Sequence, residues 1–254
     1  MIDVAGKVIL ITGGYGYLGK AISIGLKENG AKVYVLGKSI DKFNQAFLSA
    51  KQIYFVECDV SSTFKINIAF EKIKSIEGKI DVIINNAFYL KGQDPETLTD
   101  ENFEFSLDGV VGSVFRCIKS IIPFYKSQGF GKIINVSSMY GIVAPDFDIY
   151  RSAPEYLNPP HYGIGKSGII QITKYYASYL GKFNVQVNAI SPGPFPNNKV
   201  KENKEFIKSL EKKTVLNRIG QPEDLVGAFV LFSSNFSDYI TGHNLVIDGG
   251  WTIT

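Results

Sequence analysis

Seven short runs of aliphatic and β-branched residues recur along the chain, and longer stretches of helical periodicity separate them. The runs cover residues 7–12, 32–36, 53–57, 81–85, 132–137, 185–190 and 244–247. The helical patterns cover 17–29, 64–75, 100–127, 162–183 and 222–233. A strand with one wet face alternates apolar and polar residues. Lys7-Val-Ile-Leu-Ile-Thr12 is instead apolar at every interior position, as a strand covered on both faces must be. Strands that alternate with helices pair in parallel, and right-handed crossovers place the helices on both faces of the sheet. The pattern predicts an α/β protein built on one doubly wound parallel sheet of about seven strands.

The chain has 254 residues, a length that single-sheet α/β domains reach, so residues 1–254 are expected to form one domain. Hydrophobic residues make up 45% of it, enough for a core that needs neither disulfide nor metal. The net charge of +3 is near neutral, and Lys199, Lys201, Lys212 and Lys213 alternate with Glu202, Glu205 and Glu211. That mixture reads as a solvated helix face and excludes a nucleic-acid patch. Cys58 and Cys117 sit inside apolar runs, as buried free thiols in a reducing compartment do. No basic segment followed by an apolar stretch precedes the first run, and no apolar run reaches ~18 residues. A cytoplasmic protein with a small-molecule substrate and no membrane partner is expected.

Directly after the first run comes Thr12-Gly13-Gly14-Tyr15-Gly16-Tyr17-Leu18-Gly19, which opens a helical pattern. Glycines there let the backbone turn tightly and approach a pyrophosphate, whose charge the helix N-terminus holds. The end of the second run then decides between dinucleotides. An Asp or Glu at that point bonds a ribose 2′-hydroxyl and repels a 2′-phosphate. Gly37 fills the carboxylate position here, followed by Lys38 and Ser39, a cation and a hydroxyl suited to a phosphate. The sequence favours NADP(H) over NAD(H).

These motifs resemble the short-chain dehydrogenase/reductase family, and the resemblance runs from about Gly6 to Thr252. Cys58-Asp59-Val60 is similar to the segment that holds the adenine ring, and Asn85-Asn86-Ala87 to the Asn-Asn-Ala-Gly motif that lines the cofactor cleft. Asn135-Val136-Ser137-Ser138, Tyr162-Gly-Ile-Gly-Lys166 and Ser191-Pro192-Gly193 follow in the family's order. Thr241-Gly242 through Asp248-Gly249-Gly250 resembles a common family ending. The resemblance implies a Rossmann-type fold and a catalytic set of Ser138, Tyr162 and Lys166. It implies cofactor contacts at Gly13, Tyr15, Tyr17, Leu18, Lys38, Ser39, Asp59, Val60, Asn86, Ala87, Pro192 and Gly193, besides Tyr162 and Lys166. It also implies a homo-oligomer, tetramer or dimer; the apolar stripe Ile169, Ile172, Tyr176 and Tyr179 is compatible with an interface and equally with ordinary core.

Tyr162 and Lys166 are four apart, on one helix face. A free Tyr has a pKa of about 10, too high for a base at neutral pH. A nearby ammonium and a cationic nicotinamide favour the tyrosinate, so Tyr162 can exchange a proton with an alcohol or carbonyl oxygen. By resemblance, Lys166 bonds the nicotinamide ribose and Ser138 holds the substrate oxygen. No metal is implied.

The chain departs from the family pattern in three places. Gly13, Gly16 and Gly19 follow the spacing of nucleotide-sugar epimerases and dehydratases, with Tyr17 where one-domain members carry glycine. Val110 stands where many members have an Asn that completes a proton relay. Ser138 and Tyr162 are 24 residues apart, about twice the common spacing, and the excess lies in a Pro-rich loop at 143–160. That loop is expected to wall the substrate pocket. Arg151 is the candidate to meet an anionic substrate, with Tyr156 and His161 as further substrate candidates. The sequence thus points to an oxidoreductase that interconverts an alcohol and a carbonyl on a polar sugar, sugar acid or activated sugar. A catalytically silent cofactor sensor and an NAD-retaining epimerase or dehydratase are the other readings.

Overall fold

The computed structural model describes residues 3–48 and 51–254. Strands β1 (Val8–Thr12), β2 (Lys32–Gly37), β3 (Ile53–Glu57), β4 (Val82–Asn85), β5 (Gly131–Val136), β6 (Val185–Pro192) and β7 (Asn244–Ile247) form one sheet in the order β3-β2-β1-β4-β5-β6-β7. Every neighbouring pair is parallel. Each of the seven apolar runs is therefore a strand, and β1, β4 and β5 are buried along their whole length, which explains the absence of alternation.

The order reverses between β1 and β4, so the connections leaving these two strands diverge and open a crevice at their carboxyl ends. The α-helices are α1 (Tyr17–Glu28), α2 (Ile40–Ala46), α3 (Thr63–Glu77), α4 (Asp100–Leu107), α5 (Ser113–Gln128), α6 (Pro160–Leu180), α7 (Asn198–Lys201), α8 (Lys204–Lys213) and α9 (Val226–Ser233), joined in places by short 3-10 and π turns. One core joins β-strand side chains such as Leu10 and Ile133 to Phe70, Ile118 and Ile169 on α3, α5 and α6. The other joins Ile9, Ile11 and Ile84 to Ile22, Leu26 and Phe229 on α1 and α9. Ile169 and Tyr176 are thus core residues, and of the stripe proposed for an interface only Tyr179 is largely exposed.

The helix expected over 100–127 is broken by a π-helical turn at Asp108–Gly112. The Asp108 main-chain carbonyl accepts from both the Ser113 N–H and Arg116 Nη2, while Arg116 Nη1 binds the Asp108 carboxylate at 2.7 Å. Two partners on one carbonyl hold the widened turn in place. The 143–160 segment is packed against the protein and contributes Tyr150, Tyr156 and Asn158 to the wall of a cavity. Two 3-10 turns, Phe147–Tyr150 and Pro154–Tyr156, fold it onto α8, where Ile149, Tyr150 and Ala153 join Phe206, Ile207 and Leu210 in a third core. Burial of three apolar residues on α8 leaves its lysines to solvent, which accounts for the part of the mixed charge pattern that falls on this helix.

Candidate active site

A cleft of about 490 Å³ lies at the carboxyl ends of β1, β4 and β5. Its floor is built by β1 and the loop that follows. Gly13 takes φ +63°, a left-handed conformation that favours glycine, and its N–H reaches the Leu36 carbonyl at 2.7 Å. Asn86 ties this turn to β4: its Nδ2 donates to the carbonyls of Thr12 (2.9 Å) and Gly13 (3.2 Å). The N–H groups of Asn86 and Ala87 both donate to Thr12 Oγ1 at 3.0 Å. Behind the cleft, Asn85 Nδ2 donates to Asn135 Oδ1 (2.8 Å), Asn135 Nδ2 to Thr173 Oγ1 (2.9 Å), and Thr173 to the Ile169 carbonyl (2.7 Å). This buried ladder fixes the ends of β4 and β5 against α6.

At one end of the cleft stand Tyr15, Lys38, Asp59 and Val60. The Tyr15 hydroxyl accepts from the Lys38 N–H at 3.1 Å, and its ring covers the Cα of Gly37 so closely that a Cβ there would collide with it. Burial works against the Asp59 carboxylate, but the Ser61 N–H and hydroxyl, Lys38 and Arg116 outweigh it and hold its carboxyl below the usual range. Ser39 does not line the cleft. Its hydroxyl caps α2 by accepting from the Lys42 N–H at 3.2 Å. Tyr17, at the start of α1, does line it, and the Lys201 ammonium from α7 lies 5.7 Å from its ring centroid.

At the other end stand Ser138, Tyr162 and Lys166, with Leu18, Ala87, Pro192 and Gly193 also on the walls. Ser138 caps the short turn Met139–Gly141 by accepting from the Tyr140 N–H at 3.2 Å, and it lines the cleft together with Tyr162. The Lys166 ammonium donates to the Val136 carbonyl at 2.8 Å and lies 5.5 Å from the centroid of the Tyr162 ring. Burial lowers the Lys166 pKa to about 7. Burial also raises that of Tyr162, with the polar Ser138 side chain opposing it. In the free protein, then, desolvation outweighs the help expected from the neighbouring ammonium. A cationic ring in the cleft would favour the tyrosinate.

Phe88 was missed by sequence reasoning. It stands where the Asn-Asn-Ala-Gly motif ends in glycine, and that mismatch was the available signal. Its ring lies 4.9 Å from the Lys166 ammonium and 5.8 Å from the Tyr162 ring. Tyr156 is placed on a second cavity that shares Ser138, Tyr162 and Gly193 with the cleft. Arg151 is not: its side chain is 81% exposed and paired with Asp148 at 2.8 Å, because the 3-10 turn that buries Tyr150 directs the next residue outward. His161 is fully buried and lines neither cavity, since successive helix residues point about 100° apart. Val110 is buried in the π-helical turn and packed against Gly165, with its carbonyl 3.4 Å from Ser113 Oγ. Asp108 is engaged by Arg116 and Tyr89.

The cleft fits a dinucleotide on its own features. It is long, it begins in a turn whose glycine carries positive φ, and it meets the N-terminus of α1, where no side chain caps the first N–H groups. A doubly wound parallel sheet with such a cleft at its switch point, and a Ser, Tyr and Lys converging at one end, defines a nicotinamide-dependent oxidoreductase. The chain belongs to the short-chain dehydrogenase/reductase family. The family model described as enoyl-(acyl carrier protein) reductase matches residues 17–252. The chain is 34% identical to a 7alpha-hydroxysteroid dehydrogenase of Paraclostridium sordellii, over 97% of this chain and 92% of that one. It is 28% identical to a 2-dehydro-3-deoxy-D-gluconate 5-dehydrogenase of Dickeya dadantii, over 98% and 96%. A short chain dehydrogenase of Leptospira borgpetersenii, solved with bound NAD+, superposes with a TM-score of 0.85 at 30% identity, over 98% and 94%. The chain is thus an oxidoreductase of the kind that acts on CH–OH groups. Among the described residues no helix is long and apolar enough to cross a membrane, and no group of His, Cys, Asp or Glu is arranged to hold a metal.

Proposed function

We propose that the protein interconverts an alcohol and a carbonyl with NADP(H), using Tyr162 as general acid/base. The observation that carries this reading is the meeting of Ser138, Tyr162 and Lys166 at one end of a cleft whose other end offers Lys38 and no carboxylate at residue 37. When bound, the cofactor supplies or accepts the hydride. The chain's own part is to hold the substrate oxygen at the Ser138 hydroxyl and to pass a proton through Tyr162 Oη. Burial, at 3% exposure, holds the Lys166 pKa down to about 7, and negative or polar groups entering the cleft would favour its charged form. The Phe88 ring lies beside this pair.

NADP(H) is favoured by the cation and hydroxyl at Lys38 and Tyr15. In the free state the Tyr15 oxygen accepts from the backbone, so its own proton is available to a ribose or phosphate oxygen. The relative from Leptospira holds NAD+, so the preference argued here is a property of residues 15, 37 and 38 of this chain. Of the substrates suggested by sequence, a polar uncharged ring such as a sugar fits best. The cation chosen for a sugar acid, Arg151, is at the surface. Exposed aromatics on α5 and α6, Phe115, Tyr175 and Tyr179, support assembly into a homo-oligomer.

The test is a parallel titration with NADPH and NADH, followed by nicotinamide fluorescence, with a Lys38→Glu variant alongside. A preference for NADPH that the variant loses supports the reading. Equal or stronger binding of NADH rejects the cofactor assignment, and binding of neither rejects the enzyme.

A further inference from the structure

The second cavity, about 240 Å³, opens from the catalytic end of the cleft between the Met139–Gly141 turn, the 143–160 segment and α8. None of the residues that line it carries a formal charge at neutral pH. Its walls are aromatic: the Phe206 ring lies 5.6 Å from Tyr150 and 5.0 Å from Tyr156, and Phe195 stands at the entrance shared with the cleft. Flat apolar walls of this kind hold a ring by its faces.

The polar groups in this cavity are few and connected. Tyr140 and Tyr150 are 6% and 5% exposed, and their hydroxyl oxygens are 2.5 Å apart. Asn158 Nδ2 donates to the Tyr150 oxygen at 3.2 Å. Two hydroxyls share one bond here, so one of them gives its proton to the other and the second proton is left over. If Tyr150 donates to Tyr140, the Tyr140 proton is spare; if the reverse, the Tyr150 proton is spare. In both arrangements the cavity presents one O–H donor that wants an acceptor. Tyr140 is two residues from Ser138 and bonded to it through its backbone N–H, so this donor and the reacting oxygen's site belong to one rigid turn. Burial raises the pKa of both phenols, so neither ionises near neutral pH. A carboxylate or phosphate in this cavity would lose its hydration and meet no cation.

We propose that the substrate is an uncharged ring alcohol or ketone bearing a second oxygen, with the ring held between Tyr156, Phe206 and Phe195 and the second oxygen bound by the Tyr140–Tyr150 hydroxyl pair. The assignment rests on the hydride-transfer reading above and gives it a substrate class. It makes Tyr140 and Tyr150 specificity-determining residues contributed in part by the inserted 143–160 segment. Either phenol alone still offers a donor, so only the loss of both hydroxyls removes recognition of the second oxygen.

The experiment compares cyclohexanone, its para-hydroxy derivative and its para-carboxylate as substrates with saturating NADPH or NADH. It uses the wild-type protein, the single variants Tyr140→Phe and Tyr150→Phe, and the double variant. The hydroxy ketone is expected to exceed cyclohexanone in kcat/KM by about tenfold, and the carboxylate to fall at least about tenfold below it. The double variant is expected to bring the hydroxy ketone to within about twofold of cyclohexanone, with each single variant between. Unchanged cofactor affinity, read by nicotinamide fluorescence, certifies the fold of each variant. A preference for the carboxylate overturns the proposal, as does a hydroxyl preference that survives in the double variant. Cofactor binding without turnover of any of the three ketones also overturns the substrate class, whereas failure to bind either dinucleotide removes the hydride-transfer reading itself.

Discussion

The ring of Tyr15 lies over Gly37, filling the space in which a side chain at the end of β2 would stand, and its hydroxyl accepts from the Lys38 N–H at 3.1 Å. The glycine-rich turn and the residues expected to choose the cofactor are therefore one packed unit. Gly37→Ala should displace the ring and cost about 1–3 kcal/mol, the usual range for overpacking. Tyr15→Ala in the same chain should recover most of that loss, because the two changes share one space. Urea denaturation of the two single variants and the double variant measures the coupling; additive losses would mean that the ring moves aside freely. By the same logic Gly37→Asp alone should weaken binding of both dinucleotides, and only with Tyr15→Ala should it confer affinity for NADH.

Tyr162 and Ser138 differ in what they are proposed to do, and kinetics separates them. Tyr162→Phe removes the proton carrier and keeps the ring beside Phe88, so kcat should fall by about 10²–10⁴. Ser138→Ala removes both the substrate contact and the cap on the Tyr140 N–H, so KM should rise as kcat falls. Dinucleotide affinity should stay within a few-fold in both. A Tyr162→Phe protein with undiminished turnover would move the proton transfer to another group.

The buried ladder behind the site makes a prediction about stability. Asn135 Nδ2 has Thr173 Oγ1 as its acceptor at 2.9 Å, deep between β5 and α6. Thr173→Val keeps the shape and removes the acceptor, which should cost about 1–3 kcal/mol for a buried donor left unpaired. Thr173→Ser keeps the oxygen and should cost less. Equal losses in the two variants would show that the methyl group, not the hydroxyl, is what Thr173 contributes.

Much of this architecture is legible in the sequence because it rests on patterns that local chemistry dictates. Strands buried on both faces have to be apolar throughout, which is why residues 8–12 and 82–85 stand out. The turn after β1 needs glycine at residue 13. Side-chain direction is another matter. Tyr150 and Arg151 are neighbours, and reasoning from residue chemistry favoured the arginine. The 3-10 turn buries the tyrosine and exposes the arginine, a choice made by the packing of Phe206 from a segment more than 50 residues away. His161 and Tyr162 part company in the same manner, on successive positions of one helix. The π-helical turn at Asp108–Gly112 was also illegible, since neither its backbone bond nor the reach of Arg116 back to the Asp108 carbonyl leaves a mark on the periodicity. Ser39 shows what the motif did not reveal: its hydroxyl accepts from the Lys42 N–H as the cap of α2, while Lys38 lines the cleft.

Lys166 carries the last prediction, because its burial links stability to pH. Its folded pKa is lowered to about 7 from the ordinary 10.5, so between these values the unfolded chain binds a proton that the folded chain does not. Stability must then rise with pH in that window. A full proton difference is worth about 1.4 kcal/mol per pH unit, and half-titration near pH 7 reduces the gain from pH 7.0 to 8.5 to about 1.5 kcal/mol. Below pH 7 both states are protonated and the contribution becomes a constant penalty. Other groups also titrate, so the quantity to measure is the difference between wild type and Lys166→Met, by urea denaturation without cofactor at pH 7.0, 7.5, 8.0 and 8.5. The wild type should gain on the variant across the series. Parallel curves would mean that the ammonium stays charged through its bond to the Val136 carbonyl, and that the cleft is wetter around Lys166 than its 3% exposure implies.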